Sequence, residues 1–144
     1  MTTSTSWFFW AALSAVFAAM TAIFAKIGIQ GVDSDLATLV RTAIILVVLS
    51  AFVGYAGKWS NPFMLSSRTW VFLGLSGLAT GASWVCYFRA LQLGEASQVA
   101  PVDKFSLVLV AVFAFVFLGE RPSGTGWLGI ALVAAGVVVL ALRR

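Results

Sequence analysis

Histidine is absent from this 144-residue chain, and cysteine occurs once, at Cys86. Without imidazole there is no His-based acid or base and no His-ligated metal, and a lone thiol forms neither an internal disulfide nor a cysteine metal cluster. Charge is scarce too. Only 10% of the residues are Asp, Glu, Lys or Arg, nine basic against five acidic, for a formal net charge of +4. The basic residues are dispersed, so the concentrated basic face that nucleic-acid binding uses is missing. Gly-rich phosphate loops, metalloprotease helices and nucleophile elbows are missing as well. No enzymatic activity, no cofactor, no metal and no nucleic-acid partner is expected.

Apolar residues make up 61% of the chain, and the mean hydropathy is +1.02. That balance lies far from a soluble domain and implies an all-α integral membrane protein. The apolar residues arrive in five runs, at about 7–29, 36–57, 69–91, 97–118 and 126–142. Each is long enough, at about 1.5 Å of rise per residue, to cross a hydrocarbon core roughly 30 Å thick. The fourth run has two readings for its start, Ser97 or Pro101. The first is too long and too poor in flanking Lys or Arg for a cleaved signal peptide, so it is expected to stay in the mature chain. Connections are short: "QGVDSD" offers Asp33, Ser34 and Asp35 as helix N-caps, and Asn61-Pro62 signals a turn. The organisation expected is one membrane domain over residues 1–144.

Tryptophan checks the span count, because indole prefers the membrane interface. Trp7 and Trp10 open the first run, Trp59 follows the second, Trp70 opens the third and Trp127 opens the fifth, all on one side; Trp84 alone is mid-span. Five crossings then put the termini on opposite sides. Lys58, Arg68 and Arg121 lie on the tryptophan-rich side, and Arg143 and Arg144 lie opposite. That three-to-two count permits insertion both ways; adding Lys26, Arg41, Arg89 and Lys104 to the second side favours a cytoplasmic C-terminus.

The chemistry left to explain is in charges swallowed by the apolar runs. Lys26 is near the end of the first, Arg41 a turn or more inside the second, Arg89 at the end of the third, and Asp103 and Lys104 at the start of the fourth. An ionised group at the bilayer centre costs at least about 2.5–3.5 kcal/mol, so such groups usually face the protein interior and mark substrate pathways. Plainer readings stand beside that one. Lys26 and Arg89 are long enough to snorkel to the headgroups, and Asp103 suits a helix N-terminus opened by Pro101. Arg41 emerges about 9 Å in by helical rise if its helix starts near Asp35, which reaches the interface only by stretching. Asp103 and Lys104, about 100° apart on a helix, are expected to face different neighbours rather than each other, with Asp103 bridging to Lys26 or Arg41. Taken as one constellation, Lys26, Arg41 and Lys104 against Asp103 leave an excess of positive charge suited to an anionic or zwitterionic ligand; a structural salt bridge with an unused Lys is the alternative. Trp84 and Tyr87, with Phe88 and Phe105, are candidates to wall such a site, although membrane aromatics more often face lipid or core. Gly74, Gly77 and Gly81, and Gly129 and Gly136, make small faces that permit close helix approach.

The stretch "YFRALQLGEASQVAPVDKFSLVLVAVFAFVFLGERPSGTGWLGIALVAAGVVVL", Tyr87 to Leu140, resembles the closing half of an EamA domain of the drug/metabolite transporter superfamily. The resemblance rests on Ala90-Leu91, Gly94, Val99-Ala100-Pro101, Leu118-Gly119-Glu120 and the Gly129, Leu132, Gly136 pattern, and "AIFAKIGIQGVDSDLATLVRTAIIL" extends it to the first half. It implies five helices forming half of a ten-helix fold, which larger members build from inverted repeats that rock around a midplane site. A single copy then needs a second, most simply itself inserted upside down as an antiparallel homodimer, as in the related small multidrug resistance proteins, whose final helix suggests Gly129 and Gly136 as dimer contacts. The first span holds Lys26 and no carboxylate, unlike those proteins, which argues against proton-coupled export of lipophilic cations. Glu120 reads as a helix-end contact. The expectation is a secondary transporter in the cell inner membrane for a small polar, anionic or zwitterionic metabolite, with Lys26, Arg41, Asp103, Lys104, Trp84 and Tyr87 as substrate-binding residues. Membrane lipid is the other partner. The second reading is a non-transporting accessory subunit of a heteromeric complex.

Overall fold

The computed structural model describes residues 3–142, with side chains from Trp7 onward. Arg143 and Arg144, used in the orientation argument, lie outside the described residues. Helices α1 (Thr3–Gly28), α2 (Ser34–Tyr55), α3 (Ser67–Leu93), α4 (Ala96–Asp103), α5 (Ser106–Phe113) and α6 (Gly124–Leu142) follow in order, and the described residues contain no strand. Five helical stretches, at Trp7–Gly28, Ser34–Tyr55, Ser67–Leu93, Ala96–Leu118 and Gly124–Leu142, are long and apolar enough to cross a membrane. The chain is a multi-pass membrane protein.

Helix boundaries follow from local capping. Of the three N-cap candidates, Asp33 takes the role: its carboxylate accepts from the backbone N–H of Asp35 at 2.9 Å and of Leu36 at 3.0 Å, which satisfies two donors that the helix itself leaves open. Asn61 caps a 3-10 turn at Pro62–Met64 in the same way, and the Ser66 hydroxyl accepts from Thr69 N–H at 3.1 Å to open α3. The hydroxyls of Thr38 and Thr42 donate to carbonyls four residues back, at 2.8 and 2.7 Å. Inside hydrocarbon that back-bonding leaves neither hydroxyl orphaned.

The fourth crossing departs from the expected single helix. The chain is helical from Ala96, so Pro101 sits inside α4 and does not open it. Proline has no N–H to return to the carbonyl four residues back, and three residues later the helix tightens: Lys104 N–H bonds to the Pro101 carbonyl and Phe105 N–H to that of Val102, both at 3.0 Å. After α5 the chain widens into a π turn, Ala114–Leu118, which stops at Gly119 with φ +70°. The left-handed conformation needs glycine there, and it sends Glu120 N–H back to the Ala114 carbonyl at 3.2 Å.

Two compact units result. Phe24–Leu93 holds the end of α1 with α2 packed on α3; the other takes in the described residues up to Ile23 and from Gly94 on, where α4 and α5 pack on α6. Fully buried side chains are few, Leu91 and Phe88 foremost, while residues such as Leu46, Val47 and Leu128 stay more than half exposed. In lipid that surface needs no water-excluding partner, and helix contact rests on dispersion and hydrogen bonds.

Candidate functional site

The unit Phe24–Leu93 gathers Lys26, Arg41, Trp84 and Tyr87 of the expected constellation. On α2, Ser34, Thr38 and Arg41 recur at intervals of four and three, a polar stripe on one face; Ser34 and Thr38 are buried and Arg41 is half-buried. On α3, Trp84, Phe88 and Leu91 repeat the same spacing as an aromatic and aliphatic stripe. The stripes meet where the Arg41 guanidinium carbon lies 4.3 Å from the centre of the Trp84 ring and 5.4 Å from that of Phe88. The quadrupole of the two rings attracts the cation without cancelling its charge. Tyr87 sets its ring edge-on to Phe88 at 6.4 Å.

Nearer the helix ends, polar contacts tie α3 to the chain before α2. The Lys26 ammonium donates to the Leu91 carbonyl at 2.5 Å, and the Gln92 amide donates to the Val32 carbonyl at 2.6 Å. Lys26, Ile29, Gln30, Gly31, Leu91 and Gln92 line a cavity of about 300 Å³ there. Gly31 turns with φ +73°, which places the Asp33 cap beyond it. Arg89, expected to snorkel, instead holds Asp35 with two prongs, Nε to Oδ1 at 3.1 Å and Nη2 to Oδ2 at 2.6 Å. Sequence reading missed this pair because Asp35 looked like a cap and Arg89 like a headgroup anchor. The usable signal was a carboxylate and a guanidinium at facing ends of adjacent, antiparallel helices.

Asp103 and Lys104 belong to the other unit. They were expected to face different neighbours rather than each other. The structure corrects that: Lys104 Nζ approaches Asp103 Oδ2 at 3.4 Å. Regular helix geometry sets adjacent positions about 100° apart, and the four-carbon Lys stem is long enough to swing its ammonium back to the neighbouring carboxylate. Among the described residues the ion pairs are Asp35–Arg89 and Asp103–Lys104, and Arg41 is in neither. A half-buried guanidinium with rings for company retains N–H donors for a carboxylate or phosphate in a shared plane. A β-carbon added at Gly129 or Gly136 would meet nothing within 4 Å in this chain.

Compared with known families, residues 5–142 match the EamA-like transporter family. The chain is 57% identical over 139 residues to an uncharacterized transporter in the cobO 3' region of Sinorhizobium sp., covering 96% of this chain and 99% of that protein. It is 29% identical over 103 residues to a probable 4-amino-4-deoxy-L-arabinose-phosphoundecaprenol flippase subunit, ArnE, of Hamiltonella defensa, covering 67% of this chain and 93% of the subunit. It is 26% identical over 128 residues to a riboflavin transporter of Rhizobium johnstonii, covering 86% of this chain and 41% of that longer protein. No solved structure matches.

Proposed function

The chain belongs to the EamA-like transporter family, and from that premise we propose that it carries a small polar metabolite, anionic or zwitterionic, by alternating access between two inverted five-helix copies. The observation that carries the reading is Arg41, a cation about two helical turns inside a membrane-crossing helix, held over Trp84 and Phe88 and outside both ion pairs. Lys26, Trp84 and Tyr87 share its unit and line the same path; Asp103 and Lys104, at the break in the fourth crossing, supply a second polar point on discontinuous helix, the type of backbone on which such transporters build sites. The compound in the ArnE relative's name, 4-amino-4-deoxy-L-arabinose-phosphoundecaprenol, bears both an amine and a phosphate, which supports a zwitterionic or anionic cargo.

A riboflavin transporter of which this chain covers 41% supports the view that longer relatives carry more than one such unit, so a single chain needs a second. We place that second copy against the open glycine face of α6, at Gly129 and Gly136, in the cell inner membrane and in inverted orientation. A relative named as a flippase subunit favours one alternative, an accessory subunit that works only beside a different chain.

The deciding experiment labels a cysteine appended after Arg144, in a Cys86→Ser background, with a membrane-impermeant reagent in intact cells. Labelling that saturates near half of the protein fits an inverted homodimer; labelling of all or none overturns it and leaves the heteromeric reading. Proteoliposome counterflow with carboxylates, phosphates and amino acids against lipophilic cations then tests the cargo. Uptake of cations alone would overturn the anionic or zwitterionic reading.

A further inference from the structure

The connection between α2 and α3 joins two membrane-crossing helices packed on each other, so it emerges at a membrane face. It is a built element. Gly57 ends α2 with φ +64°, Asn61 Oδ1 accepts from Phe63 N–H at 3.0 Å, and Trp70 Nε1 donates to the Pro62 carbonyl at 3.2 Å, clipping the turn to the first turn of α3. Its apolar side chains nonetheless point away from the protein: Trp59 is 70% exposed, and Phe63 and Met64 are each 86% exposed. Lys58 precedes them and Arg68 follows, the latter 5.9 Å from the Phe72 ring. From Leu36 to Gly94 the chain has no Asp or Glu, so nothing in this stretch offsets those two charges.

From these features we infer that the α2–α3 connection is a binding site for anionic phospholipid headgroups. Trp59 enters the headgroup level that indole prefers, and Phe63 and Met64 bury their apolar surface at the acyl boundary beside it. Lys58 and Arg68 take the phosphates, each basic group near a charged bilayer surface adding to the attraction. Water leaves Phe63 and Met64 unsatisfied, and neutral headgroups leave the two cations uncompensated. Lipid also reaches this site wherever the chain is inserted, as a continuation of the surface that its spans already meet. The element thereby ties one end of the α2–α3 pair to leaflet charge.

The test uses the full chain in detergent, labelled with an environment-sensitive fluorophore at Ser60→Cys in the Cys86→Ser background, and titrated with short-chain phosphatidylglycerol. The expected result is a saturable blue shift that Lys58→Gln/Arg68→Gln weakens about thirty-fold, with each single variant intermediate. Equal response to phosphatidylcholine overturns the proposal, and so does a response to inorganic phosphate alone, an unchanged response in the double variant, or a label shielded before lipid is added, as a protein partner would produce. If the double variant fails to fold, the two single variants carry the same comparison.

Discussion

Arg41 and Lys104 are both cations inside apolar helices, and the chain settles them by different means. Lys104 stands where α4 ends behind Pro101, and its long stem carries the ammonium to the neighbouring Asp103 carboxylate. Arg41 stands in an unbroken helix, where the adjacent α3 offers it the faces of Trp84 and Phe88. One cation is neutralised and the other is merely sheltered. A ring lowers the cost of carrying a guanidinium into the membrane without using its charge, so the sheltered cation is the one still able to take an anion.

Replacing Arg41 by Gln gives the largest expected effect. Hydrogen bonds to a charged group contribute about 1.5–3 kcal/mol, so substrate affinity should fall roughly ten- to hundred-fold, measured by counterflow or by ligand-dependent thermal shift, while helix content and oligomeric state persist. Arg41→Lys should recover only part, because an ammonium has no planar fork. Asp103→Asn should do much less. Equal losses at the two positions would break the contrast and merge both charges into one site; collapse of the oligomer on Arg41→Gln would make the guanidinium structural.

The ring itself comes next. Trp84→Leu removes the better of the two cation–π partners, an interaction worth about 0.5–2 kcal/mol, and should lower apparent stability by that order and loosen ligand binding several-fold through Arg41. Trp84→Phe keeps a ring and should fall between. A Leu variant indistinguishable from the parent in both assays would mean that the guanidinium is held by something other than the ring.

The five crossings were legible because apolar length is a one-dimensional quantity, and indole and capping residues mark its ends. Arg41 was legible as a candidate for the same reason: a charge deep in an apolar run stands out without any knowledge of its neighbours. Its partners did not, since the meeting of the Ser34–Thr38–Arg41 stripe with Trp84–Phe88–Leu91 depends on how two helices pack. Regular periodicity also misled at Asp103 and Lys104. The angle between adjacent positions did not keep a long Lys side chain from its neighbour's carboxylate, and of the two starts considered for the fourth crossing, Ser97 or Pro101, the helix follows the earlier. Arg89 was read alone, as a snorkelling side chain, because a partner 54 positions away along the chain leaves no local trace.

The smallest expected effect separates the two ion pairs. Both are substantially exposed, Arg89 and Asp35 at 60% and 49%, Lys104 and Asp103 at 52% and 36%, and exposed pairs contribute little to stability. Geometry ranks them. The Asp35–Arg89 pair is two-pronged, with its shorter contact at 2.6 Å, and joins two helices; the Asp103–Lys104 contact is single, at 3.4 Å, between chain neighbours that stay close in the unfolded state. Double-mutant cycles with Asp35→Asn/Arg89→Gln and Asp103→Asn/Lys104→Gln, read by thermal unfolding in detergent, should give a measurable coupling for the first and a smaller one for the second. A larger coupling at Asp103–Lys104 would mean that its pairing holds the break in the fourth crossing open, and that the neutralised cation, as well as the sheltered one, shapes the path through the membrane.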